Sequence, residues 1–153
     1  METPGRVAAI DFGTVRIGIA ISDARRTIAS PHSMYARRDR RQDAAFFQRL
    51  AAEEDVRLFV VGLPVHLDGR ESQKSLESRA FGQWLGEVTG VEVVFFDERF
   101  TTTQAQQILG EAEMRGKRRR QRVDMLAAQI MLAAFLESGS HGQTDPKGLD
   151  DRS

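Results

Sequence analysis

The chain has 153 residues, 41% hydrophobic and 29% charged, with 22 basic residues balanced by 22 acidic ones to a formal charge of zero. That size suits one domain burying roughly two thirds of its unfolded surface, and the balance excludes a chain coated in one sign of charge. Cysteine is absent and the three histidines, His32, His66 and His141, are scattered, so disulfides and thiolate zinc sites are excluded and any metal should be hard and oxygen-ligated.

The opening METPGR has neither the basic nor the apolar region of a secretory signal, and a cytoplasmic protein is expected. The longest apolar run, residues 58–63, is too short to cross a bilayer, so no membrane is expected among the partners. Residues 7–12 read as an apolar strand. After a turn at Gly13, Ile17, Ile19 and Ile21 alternate with Gly18, Ala20 and Ser22, the period of a strand, so the two should form a hairpin. The small residues on the second face would admit a helix close against the sheet. Residues 27–35 supply a third strand, interrupted by Pro31, and residues 43–54 carry Ala44, Phe47, Leu50 and Ala51 at helical spacing.

RLFVVGLP is a β-branched run with the pattern of a strand buried on both faces, ending at Gly62 and Pro64. Residues 71–88 place Leu76, Ala80, Phe81, Trp84 and Leu85 on one helical stripe, and VEVVFF is a fifth strand ending at Asp97. Thr101 followed by Gln104 has capping-box spacing, which predicts a helix burying Ala105, Ile108 and Leu109. A basic run at residues 115–122 reads as a loop. Val123, Leu126, Ala127, Ile130, Met131 and Ala134 then mark a final helix ending near Gly139. The expected organisation is one domain over residues 1–137 and a polar, disordered tail over residues 138–153. Three antiparallel strands followed by strand and helix alternation imply an α/β fold. Its sheet should be mixed and five-stranded, with strands one, four and five parallel and helices on both faces.

In open α/β sheets, function gathers beyond the carboxyl ends of the parallel strands. Asp11 ends the first strand, DERF leaves the fifth with Asp97, Glu98 and Arg99, and Asp124 opens the final helix. Asp11, Glu98 and Asp124 could therefore meet. Three ionised carboxylates at about 5 Å would repel by roughly 3 kcal/mol per pair at an effective dielectric of 20. Magnesium or manganese would relieve this through the oxygen ligands those ions prefer. Two such ions about 4 Å apart suit in-line hydrolysis of a phosphodiester. Each acid also has a plainer role. Asp11 suits capping of the Gly13 turn or pairing with Arg16, Asp124 suits the positive end of a helix, and Asp97 and Glu98 suit surface pairing with Arg99.

Two clusters of cations interrupt the even charge: Arg37, Arg38, Arg40 and Arg41, and a denser one of Arg115, Lys117, Arg118, Arg119, Arg120 and Arg122. Either is by default a solvated face. Beside a carboxylate pocket, however, such residues supply the sequence-independent phosphate contacts that dominate nucleic-acid affinity. Phe12, Tyr35 and Phe100 are candidates for base stacking. No GxSxG, HExxH or GxxxxGK[ST] motif occurs, and His66 is a lone loop histidine.

Taken together, DFGTVRIGIAISD, GLPVHLDGR, DERFTTTQA and VDMLAAQIML, in this order from about residue 7 to residue 137, closely resemble the YqgF family, also called RuvX. The resemblance implies a ribonuclease H-like fold, a bacterial cytoplasmic origin, and a nuclease role in maturing the small-subunit ribosomal RNA precursor or resolving Holliday-like junctions. It marks Asp11, Glu98 and Asp124 as the catalytic and metal-binding carboxylates. Under it Asp11 bridges two Mg2+ or Mn2+ ions, and Glu98 and Asp124 each hold one. Arg16 and Gly18 match the first family motif, Gly62, Leu63, Pro64, Asp68 and Gly69 the second, and Arg99, Thr101 and Thr102 the third. Lys117 and its neighbours Arg118, Arg119, Arg120 and Arg122 match the basic stretch before the last aspartate. With Arg16 and Arg99 they are the expected nucleic-acid contacts. The expected partners are nucleic acid, RNA ahead of branched DNA, and ribosomal precursor particles. A homodimer would suit symmetric nucleic-acid targets. The competing expectation is a non-catalytic RNA-binding or ribosome-assembly factor on the same fold.

Overall fold

The computed structural model describes residues 3–64, 70–100, 117–138 and 143–144, with the side chains of Phe100, of residues 117–124 and of residues 143–144 outside the description. Its strands are β1 (Arg6–Asp11), β2 (Arg16–Ser22), β3 (Ala29–Ala36), β4 (Val56–Leu63), β5 (Glu92–Asp97) and a two-residue β6 (Gln143–Thr144). The helices are α1 (Arg40–Glu53), α2 (Gln73–Thr89) and α3 (Lys117–Ser138), with a 3-10 turn at Glu98–Phe100 after β5.

Strand order across the sheet is β3-β2-β1-β4-β5-β6. β1 pairs antiparallel with β2, and β2 with β3, whereas β1, β4 and β5 are mutually parallel. This is the expected mixed sheet of five strands, lengthened at one edge by Gln143 and Thr144, which pair with Phe96 and Phe95 of β5. That short pairing lies within the stretch expected as a tail. Pro31, which has no N–H to donate, sits beside the irregularity between Ile19 and Ala20 in the β2–β3 ladder.

The period of two in the strands divides the core between two faces. Ala8, Ile10, Ile17, Ile19, Phe59 and Val61 pack with Phe47 and Leu50 of α1 and Phe81 and Leu85 of α2. The intervening Val7, Ala9, Ala20, Leu58, Val60, Val94 and Phe96 pack with Ala128, Met131, Leu132 and Phe135 of α3. The small side chains of β1 and β2 on this second face leave room for α3, as the alternation predicts.

The starts of α1 and α3 differ most from expectation. α1 begins at Arg40 rather than residue 43, because the Asp39 carboxylate accepts the Gln42 N–H at 2.7 Å and caps the helix there. Asp43 is a buried member of the first turn, accepting the Tyr35 hydroxyl at 2.6 Å and the Arg38 N–H at 2.9 Å. α3 begins at Lys117, so the basic stretch is helical and Asp124 stands in the third turn instead of opening the helix. Arginine and lysine are good helix formers, which accounts for the extension. The helix expected after Thr101, the loop residues His66, Asp68 and Gly69, and Thr102 lie outside the described residues.

Candidate active site

β1 delivers Asp11 to the carboxyl end of the parallel strands, opposite Gly18 of β2. The turn that follows is tight: a Cβ on Gly13 would lie 2.3 Å from the Arg16 carbonyl oxygen. Its backbone closes over Arg16, so Asp11 and Arg16 share one cavity of about 580 Å³, walled on the far side by Gln73, Lys74 and Glu77 of α2.

Glu98 reaches the same rim from β5. Asp97 ends that strand and accepts both the backbone N–H of Arg99, at 2.9 Å, and its guanidinium, at 2.9 to 3.0 Å from Nε. This pair holds the 3-10 turn, and Glu98 folds back over β4. There its Oε2 occupies the space a Cβ on Gly62 would take, 2.6 Å away, with the Met131 sulfur of α3 equally close. Gly62 is thus required by the close approach of a carboxylate. Asp11 and Gly62 fall in the alternation on the face that α3 covers. Glu98 is mostly removed from water, and burial pushes its carboxyl up to about 7, with the Asp11 charge as the second cause and Lys74 opposing both.

Asp11 and Glu98, far apart in sequence, are therefore electrostatic neighbours at the strand ends. Asp124 stands on α3 one turn before Ala128 and two before Met131, and its side chain lies outside the described residues. The side chains of Lys117, Arg118, Arg119, Arg120 and Arg122 lie outside them too; their helix runs into the site through Met131. Arg16 lines the Asp11 cavity, whereas the Arg99 guanidinium is engaged by Asp97. Tyr35 is not an open stacking platform: its ring stacks on Phe46 at 4.0 Å, and burial, then the Asp43 hydrogen bond, raise its hydroxyl to about 12.

Lys74 is the site residue that motif reading misses. It follows the Ser72 N-cap, whose side chain accepts the Ser75 N–H, so it stands in the first turn of α2, where the helix dipole disfavours a cation. That misplacement is the signal that could have found it. Among the described residues no three of His, Asp and Glu are grouped closely enough to hold a metal ion. The oxygen-only pair of Asp11 and Glu98 nevertheless suits a hard divalent cation, whose charge would favour ionisation of a carboxyl whose pKa burial raises.

Fold and site together define an α/β protein of the ribonuclease H-like class. RuvC of T. thermophilus, solved in complex with a Holliday junction substrate, superposes with a TM-score of 0.59 over 91% of this chain and 99% of that one, at 13% identity. At such identity the likeness speaks for the fold. A family model described as "RuvX: Holliday junction resolvase" matches residues 5–138. A Rhodopirellula baltica protein named "Putative pre-16S rRNA nuclease" is 47% identical over 134 residues, covering 88% of this chain and 78% of the relative. A Koribacter versatilis protein of the same name is 38% identical over 142 residues, 93% of each. The chain belongs to the RuvX (YqgF) family, whose members are nucleases by the names they carry. No helix among the described residues is long and apolar enough to cross a membrane.

Proposed function

We propose that this chain is a divalent-metal-dependent nuclease that hydrolyses phosphodiester bonds in structured nucleic acid, with residues 1–137 as its nuclease domain. The observation that carries this reading is the convergence of Asp11 and the largely buried Glu98 at the parallel strand ends, beside Arg16 and Lys74. Asp11, Glu98 and Asp124 would hold Mg2+ or Mn2+, which supplies activation of water and relief of charge on the phosphate. Arg16 and Lys74 bind non-bridging phosphate oxygens, and the basic start of α3 draws the backbone towards Asp124. Glu98, given room by Gly62 and positioned by the Asp97–Arg99 clamp, would present its carboxylate to the metal. The names of the relatives favour the small-subunit ribosomal RNA precursor as substrate, which the chain would meet in the cytoplasm on ribosomal precursor particles. The family description makes branched DNA the second substrate, for which a homodimer would match the symmetry.

The test is cleavage of a precursor RNA fragment and of a four-way DNA junction with Mg2+, Mn2+ or chelator. Metal-dependent cleavage is expected, and Asp11→Asn or Asp124→Asn should abolish it with circular dichroism and melting nearly intact. Salt-dependent binding without turnover in any metal would overturn the nuclease reading and leave an RNA-binding factor. A manganese soak should place anomalous density between Asp11, Glu98 and Asp124.

A further inference from the structure

The cluster Arg37–Arg41 has no part in the carboxylate site, yet it borders a second cavity. This cavity, of about 300 Å³, is lined by Arg37, Arg40 and Asp43 together with Phe81 and Trp84. It shares Phe12, Thr14 and Glu77 with the cavity of Asp11, so the two are contiguous. Packing alone accounts for the aromatic wall, since Phe81 and Trp84, with ring centroids 5.5 Å apart, also border Phe47 of the core. It does not account for the cations. Arg40 and Arg41 directly follow the Asp39 N-cap, at the end of α1 where the dipole repels positive charge by about 0.3–1 kcal/mol each. An anion in the cavity would offset that repulsion.

Arg37 is held ready for such a role. Its backbone N–H binds the Val15 carbonyl at 2.9 Å, tying the end of β3 to the turn after Asp11. Its guanidinium lies over the Phe12 ring, 5.1 Å from the centroid. Asp43, 3.6 Å from Nε, orients it without a hydrogen bond, and that buried Nε has no hydrogen-bond partner among the described residues. The Arg37 side chain remains 29% exposed. The half-buried Trp84 ring, the two cations and the neighbouring Asp43 and Glu77 carboxylates match one nucleotide, with its base against Trp84 and its phosphate on the arginines.

We propose that this cavity is a second substrate site, taking an unpaired nucleotide of the cleaved strand adjacent to the phosphodiester held at Asp11. The proposal rests on the nuclease reading for its placement along a strand. A base within a duplex is already stacked and could not enter, so the site selects strand ends, loops or bulges.

Trp84 is the single tryptophan of the chain and reports on the site directly. The experiment titrates the full chain, in chelator, with a single-stranded oligoribonucleotide about ten nucleotides long, reading tryptophan fluorescence and oligonucleotide anisotropy together. Saturable quenching that tracks the anisotropy is expected, and a blunt duplex of the same sequence should bind without quenching. Arg40→Glu, at an exposed position and checked by circular dichroism, should weaken the quench-linked affinity about tenfold. Binding without quenching, equal quenching by the duplex, wild-type affinity in Arg40→Glu, or no saturable binding would each overturn the proposal. Because chelator removes cleavage from the readout, a wild-type protein that never cleaves refutes the nuclease reading alone.

Discussion

Gly62→Ala is the sharpest probe of the site, because a single methyl would meet the ends of two flexible side chains, the Glu98 carboxylate and the Met131 sulfur. The new Cβ would lie 2.6 Å from both Glu98 Oε2 and the Met131 sulfur, so each must withdraw by about 0.8 Å to reach the 3.4 Å at which ordinary contact begins. Both atoms end flexible side chains, so the strand backbone is spared. Overpacking costs about 1–2 kcal/mol, offset by about 0.5 kcal/mol or more from replacing glycine within a strand. Stability should thus fall by no more than about 1.5 kcal/mol, read as a small shift in urea midpoint. The carboxylate, displaced towards water, loses the burial that holds its pKa near 7, and its titration followed by NMR should move back towards 4.5. A displacement near 1 Å in a group that positions the reaction costs on the order of 100-fold in rate. Cleavage at the wild-type rate with Glu98 still titrating near 7 would refute both the placement of this carboxylate over Gly62 and its role.

At the opposite end of β2, Asp23 accepts the N–H groups of Thr27 and Ile28 at 2.7 and 2.9 Å and the Thr27 hydroxyl at 2.7 Å, which hold its pKa at about 2. A depressed folded-state pKa stabilises fully above the unfolded value of 3.8 and is lost as pH falls through about 2. Asp23→Asn should therefore lower the urea midpoint at pH 7, with the gap to wild type closing as pH approaches 2; a gap independent of pH would contradict the assignment. On α2, a Cβ at Gly86 has Val93 at an ordinary 3.4 Å, whereas one at Gly82 would sit 2.5 Å from the buried Phe95 ring. Gly86→Ala should stabilise by about 0.5–1 kcal/mol and Gly82→Ala should destabilise by about 1–2 kcal/mol, measured by chemical denaturation. The reverse order would mean that α2 packs on β5 differently.

The alternation of Ile17, Ile19 and Ile21 with small residues, and the runs RLFVVGL and EVVFFD, reveal the sheet because a strand's two faces must each find apolar cover. Placing Asp11 and the DERF motif at strand ends followed from that reading. Helix starts were less legible. The start of α1 is hidden locally, because the capping by Asp39 depends on backbone geometry and the Tyr35 hydroxyl that the buried Asp43 accepts comes from another element. The basic stretch before Asp124 reads as a loop in sequence because no apolar stripe marks its helical continuity.

The sequence by itself determined which residues alternate, which acids terminate strands and where cations accumulate, since these depend on local period and residue chemistry. Only the tertiary structure decided that Glu98 lies largely buried over Gly62, that Lys74 from α2 offsets part of the rise in its pKa, and that Arg37 rests on Phe12 beside a second cavity. Such contacts join segments distant along the chain, and burial and electrostatic coupling arise only once those segments pack.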